Sequence, residues 1–224
     1  MKRNRFVILT IVALCILCVG TVACTKPPIE EPQENISYMQ QSLYCGKTKD
    51  FAVRLATGIS EKMFVADGRS DEVGDFATLT LVPQHVDLFN DAYTYTLVGT
   101  EGRIEGELTK DSFGASYSTD LADIAKVGTP TSVTVASDNA QCTIELTDAM
   151  AGSITADEAK KVAQTHMQDK LDASKAEREI YVKYINDGEN EQSAYYWYVA
   201  FIASPTDYYA VLVDGQGKIL SVNP

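Results

Sequence analysis

Residues 152–171 read GSITADEAKKVAQTHMQDKL, and the pattern of the chain changes there. Thr155, with Glu158 three residues on, makes a capping box: the threonine hydroxyl accepts the Glu158 N–H and the glutamate reaches back to the Thr155 N–H. Ala159, Val162, Ala163, His166 and Met167 then recur on one helical face, which predicts a helix ending near Leu171 to Ser174. From about Tyr44 to Asp148 the chain reads as strands, and after the helix it reads as strands again. This single helix therefore divides an all-β stretch from a mixed one.

The runs before it are short, rich in Thr, Val and Tyr, and punctuated by Gly, Asp, Asn and Pro. Strands are expected at Phe51–Thr57, Lys62–Ala66, Phe76–Val82, Tyr93–Val98, Arg103–Thr109, Phe113–Tyr117, Ser132–Ala136 and Cys142–Thr147. The last two, joined by Asp138-Asn139-Ala140-Gln141, read as a hairpin. A helical turn or two is expected over Thr119–Gly128, with Thr119 as N-cap. Many short strands at this spacing point to a sandwich or barrel. After the helix, strands are expected at Ile180–Ile185, Tyr195–Ile202, Tyr208–Val213 and Lys218–Val222. The expected architecture is two modules: an all-β, sandwich-like module over 44–150 and an α+β module over 153–224, one helix on an antiparallel meander.

The segment ITADEA at 154–159, the strand YWYVAF at 196–201 and the closing hairpin YYAVLVDGQGKILSV at 208–222 together resemble the PepSY domain. The resemblance covers about the last third of the chain, residues 153–224, and departs at Asp169–Glu179, which is longer and more charged than the family's pattern. It implies a binding or peptidase-regulating module rather than a catalyst, with an extracytoplasmic protein, such as a peptidase, as partner. Residues 44–148 resemble no family.

The amino terminus, MKRNRFVILTIVALCILCVGTVAC at 1–24, has a basic start, an apolar core from Phe6 to Ala23 and a small-residue exit, the layout of an export signal. Thr21-Val-Ala-Cys24 resembles the lipobox of bacterial lipoproteins, although Thr21 stands where leucine is usual. That resemblance implies cleavage after Ala23, lipid on Cys24 and a chain held at the outer side of the cell membrane. The alternative is an uncleaved membrane helix, since about 20 apolar residues span a bilayer. Residues 24–43, with Pro27, Pro28 and Pro32 among acids, read as a flexible tether that would reach about 50 Å when extended.

The formal charge of −12 becomes about −15 once the first 23 residues, three basic and none acidic, are removed. Such a surface repels nucleic acid. Two cysteines then remain beside Cys24. Cys45 and Cys142 either form a disulfide, worth on the order of 4 kcal/mol across so long a loop, or stay as free thiols.

Candidate chemistry is sparse. His85 and His166 belong to no metal-binding spacing, no nucleophile motif occurs, and Gly46-Lys-Thr48 lacks the earlier glycine of a phosphate loop. Asp67, Asp71, Glu72 and Asp75 lack EF-hand spacing, and with Asp187, Glu189 and Glu191 they read as solvated connections. No catalytic residue, metal or cofactor is assigned.

Tyrosines carry the better signal: seven of the 12 lie between Tyr181 and Tyr209. Strand alternation puts Tyr196 and Tyr198 on one face and Trp197, Val199 and Phe201 on the other, under the helix. Tyr181, Tyr196, Tyr198 and Tyr208 are thus a candidate binding face for peptide or sugar, against a purely structural role as cross-strand aromatic pairs. Two functions follow. One is a non-catalytic envelope lipoprotein that binds or restrains an extracytoplasmic partner through its C-terminal module. The other is a surface lipoprotein that captures a glycan, peptide or cation through its β-rich region.

Overall fold

The computed structural model describes residues 35–112, 114–138, 140–186 and 194–223. The signal segment, Cys24, Phe113 and the acids at 187–191 lie outside them. Strand β1 (Ile36–Lys47) organises the rest. On one side it pairs antiparallel with β2 (Phe51–Glu61), with a bulge between Gln40 and Ser42. On its other side it pairs first in parallel with β10 (Glu179–Asn186), Tyr38 opposite Tyr181 and Met39 opposite Val182. Further along, Tyr44 and Cys45 pair antiparallel with β9 (Thr147–Asp148).

From β2 the sheet continues through β3 (Val73–Pro83) and β6 (Tyr117–Asp120), then β5 (Arg103–Lys110), β4 (Ala92–Gly99), β7 (Pro130–Ala136) and β8 (Gln141–Glu145). From β10 it runs outward through β11 (Tyr195–Ser204), β12 (Asp207–Asp214) and β13 (Ile219–Asn223). All 13 strands among the described residues belong to one mixed sheet. Its β8 end curls back, because β9 follows β8 after a single residue and returns to β1. Gly46 permits that approach: a Cβ there would stand 2.3 Å from the Glu145 carbonyl oxygen.

The curl encloses one apolar core. Phe51 and Leu55 of β2, Leu79 of β3, Tyr93 and Leu97 of β4 and Tyr117 of β6 are essentially without exposure. Tyr93 meets Tyr117 edge to face at 4.9 Å, and the polar ends of both rings are satisfied around Asn90 and the Leu88 carbonyl. Buried tyrosines need such partners, since an unpaired hydroxyl costs about 1–3 kcal/mol.

A second core lies between β10–β12 and helix α1 (Ala156–Ala173). Thr155 caps that helix: its Oγ1 accepts the Glu158 N–H at 3.2 Å and its own N–H reaches the Glu158 carboxylate at 2.8 Å. Ala159, Ala163 and Met167 pack on Trp197, Val199 and Phe201, and Met39 and Leu43 of β1 enter the same core. The indole N–H of Trp197 is shared between Ser153 Oγ and the Ile154 carbonyl, both at 3.1 Å.

Several sequence expectations are corrected. The two-module division, sandwich plus separate α+β domain, does not hold. β10 joins β1 inside one continuous sheet, and β1 donates side chains to both cores. Residues 36–43, expected in the tether, are strand, because Met39 and Leu43 find an apolar core and Ser37 and Gln40 are covered beside them. Residues 62–66 form no strand and expose Met63, Phe64 and Val65. Thr119–Gly128 holds the end of β6 and a single 3-10 turn, Ile124–Lys126, not a capped helix. His166 faces solvent, while Lys160 takes a buried place on the helix and pairs with Asp157 at 3.0 Å.

Candidate binding groove

Alternation along β1 and β10 points Tyr38 and Tyr181 away from the helix-covered face, and parallel pairing sets them side by side. Their rings stack with centroids 4.7 Å apart and planes 18° from parallel. Phe76 of β3 stacks on Tyr38 from the far side at 5.1 Å. Gly58 of β2 lies opposite Phe76 and, lacking a Cβ, leaves the Phe76 ring its place: a Cβ there would come within 2.9 Å of it. Tyr198 of β11 continues the row, edge to face with Tyr181 at 6.3 Å, and Phe64, from the loop after β2, covers Tyr181 at 5.8 Å. The result is one aromatic row crossing β3, β1, β10 and β11.

Beside this row lies a groove of about 910 Å³. Tyr38, Phe64 and Phe76 line it from the aromatic side. Arg54 of β2 and Lys183 of β10 add two cations, and Asp75 and Asp120 add carboxylates. Asp120 accepts the Thr78 hydroxyl at 2.8 Å. Arg54 donates to Asn186 Oδ1 at 3.3 Å. Among the described residues neither Arg54 nor Lys183 forms an ion pair. Burial, and then the charge of Arg54, lower the Lys183 ammonium below its ordinary range.

Burial pushes the hydroxyls of Tyr38, Tyr181 and Tyr198 up, and in each case a neighbouring tyrosine adds to it. They therefore stay protonated at neutral pH and act as hydrogen-bond donors.

The loop that carries Phe64 is tied down at its base. Asn35 Nδ2 donates to the Gly68 and Arg178 carbonyls at 2.7 and 2.9 Å, and Asn35 Oδ1 accepts the Ser70 N–H at 2.6 Å. Glu61 accepts the Asp71 N–H at 2.9 Å. Below this loop sits Glu179, fully covered, with no hydrogen-bond partner of normal geometry on either carboxylate oxygen among the described residues. Burial first, then the charges of Glu61 and Asp67, raise its carboxyl to about 7, against a weaker opposing pull from Ser37 and the Gly68 backbone.

Of the residues singled out in the sequence, Tyr181 and Tyr198 belong to the aromatic row. Tyr208 stands beyond it, 37% exposed, and Tyr196 pairs in register with Ile185 and Asp214 without lining the groove. Tyr38, Phe64, Phe76, Arg54 and Lys183 were not foreseen. The alternation of β2 makes Arg54 look like any outward charge, and no local signal pairs β1 with β10.

Cys45 and Cys142 are both free. Cys45 Sγ lies 3.6 Å from the Tyr195 hydroxyl and Cys142 Sγ lies 3.8 Å from Thr48 Oγ1. Glu72 of the acidic loop pairs with Lys62 at 2.7 Å, and Asp67 Oδ1 accepts the Arg69 N–H at 3.1 Å. Among the described residues no three His, Cys, Asp or Glu side chains are placed to hold a metal ion. His85 is exposed and stands 4.0 Å from Asp50.

The described residues contain no helix long and apolar enough to cross a membrane. Compared with family models, with curated proteins and with solved structures, the chain matches none, and none of the three supports the PepSY resemblance.

Proposed function

We propose that this chain is a non-catalytic ligand-binding protein of the cell envelope, anchored through Cys24, whose site is the groove beside the Phe76–Tyr38–Tyr181 row. The observation that carries the reading is the groove itself. An opening of about 910 Å³ lies within the usual size range of small-molecule sites. It combines aromatic surface with convergent polar groups, as such sites do. The export-signal layout of residues 1–24 supports the location. Of the two functions drawn from the sequence, the geometry favours ligand capture on the β-rich sheet. The peptidase-partner reading rests on the resemblance at 153–224 alone.

Calorimetric titration of the full chain in detergent with short peptides, wall-derived saccharides and Ca²⁺ tests this. Saturable binding of one class, weakened at least tenfold by Tyr38→Ala, is expected. Binding that Tyr38→Ala and Phe76→Ala leave intact would place the site elsewhere.

A further inference from the structure

Phe76, Tyr38 and Tyr181 stack on one another with planes 26° and 18° from parallel, so each covers its neighbour's face. An aromatic edge carries the positive part of the ring quadrupole. The hydroxyls of Tyr38, Tyr181 and Tyr198 reach solvent without a hydrogen-bond partner among the described residues. Of these three, Tyr38 lines the groove, while Tyr181 and Tyr198 continue the row beyond it.

The cations point the same way. The sequence has 31 acidic residues against 19 basic ones. Arg69, Arg103 and Arg178 each pair with a carboxylate. Arg54 is the one described arginine that does not, and Lys183, its neighbour at the groove, forms no ion pair among the described residues either. Keeping two like charges together is unfavourable: burial first, and then the nearby Arg54 charge, lower the Lys183 ammonium. The acids on the same groove do not relieve it: Asp120 is engaged with Thr78 and Glu61 with the Asp71 N–H. Asp75 stands five positions along β3 from Thr80, the residue opposite Arg54, which is roughly 17 Å away along the strand.

We infer that the groove binds a carboxylate-bearing ligand, its carboxylate seated between Arg54 and Lys183 and its body lying along the Tyr38 and Phe76 edges. The inference rests on the groove being the binding site. Carboxylate is the shared chemistry of a peptide C-terminus and of a uronic acid, and the anionic group joins both cations where neither has a carboxylate partner among the described residues. Arginine suits this position because its fork meets a carboxylate with two parallel N–H donors.

The test is calorimetry on the full chain in detergent with four probes: trialanine, trialanine C-terminal amide, a hexuronic disaccharide and its neutral counterpart. The expected result is saturable binding of at least one acid, with a loss of about tenfold or more for its uncharged partner. The acid that binds more tightly identifies the source of the carboxylate. Arg54→Gln and Lys183→Gln should each weaken that binding by a similar factor while leaving the melting transition and the emission of the buried Trp197 in place. Equal binding of acid and uncharged probe, lost in Tyr38→Ala, would overturn the carboxylate assignment and leave the groove standing. Binding indifferent to Tyr38→Ala, Arg54→Gln and Lys183→Gln alike, or no binding by any probe, would overturn both.

Discussion

Glu179→Gln should stabilise the protein at pH 8 and change little at pH 4.5. The Glu179 carboxyl is fully covered, faces Glu61 from the end of β2 and Asp67 from the loop, and sits near Ser37 of β1 and the Gly68 backbone. In the folded chain it titrates at about 7 against an ordinary 4.5. Between those values the folded state keeps a proton that the unfolded state has released, so stability falls as pH rises through the window and levels off above it. The full displacement is worth about 3 kcal/mol. Glutamine has the same shape and carries no charge at any pH, so it removes this loss. Its amide still lacks ideal partners, which brings the expected gain at pH 8 to about 2 kcal/mol. Urea unfolding at the two pH values, followed by the emission of Trp197, the only tryptophan and fully buried, gives the difference directly. A variant-minus-native difference that is the same at pH 4.5 and pH 8 would refute the assignment of Glu179 as a buried neutral acid.

Thr155→Ala removes the cap of α1 and should cost about 1 kcal/mol, read as a lower midpoint in the same urea titration. Gly46→Val should cost roughly 1–3 kcal/mol, because its side chain meets the Glu145 carbonyl where the sheet curls back to β1; an unchanged melting temperature would count against that closure. Cys45 and Cys142 should each take up one alkylating group in denaturant without reductant, seen by intact mass. A chain that gains two labels there only after reduction contains a disulfide.

The local elements were legible in the sequence and their assembly was not. The capping box at Thr155 and Glu158 is a short-range signal and falls where it was read. Alternation along YYWYVAFI puts Trp197, Val199 and Phe201 under α1, because a strand's side-chain period is fixed at two. The pairing of β1 with β10 joins residues more than 140 positions apart, and nothing in either strand names its partner. β1 was the harder case, since ISYMQQ follows a proline- and acid-rich stretch and places polar Ser37 and Gln40 at buried positions. Met63-Phe64-Val65 misled in the opposite direction: an apolar run read as strand is an exposed loop, with Phe64 turned onto Tyr181. The site inherits both errors. Tyr181 and Tyr198 could be found by counting alternate residues, whereas Tyr38, Phe76, Arg54 and Lys183 become neighbours only after the long-range pairing is made.

The groove, the aromatic row and the single sheet all depend on β1 lying beside β10. The most direct measurement is a set of ring-proton NOEs between Tyr38 and Tyr181 in selectively labelled full-length protein, whose ring centroids are 4.7 Å apart. Strong cross-peaks between the two rings, together with slow amide exchange at Met39, are the expected result. A Tyr38 ring that shows no contact with Tyr181, in a segment whose amides exchange at unfolded-chain rates, would return residues 36–43 to a tether and remove the site with it.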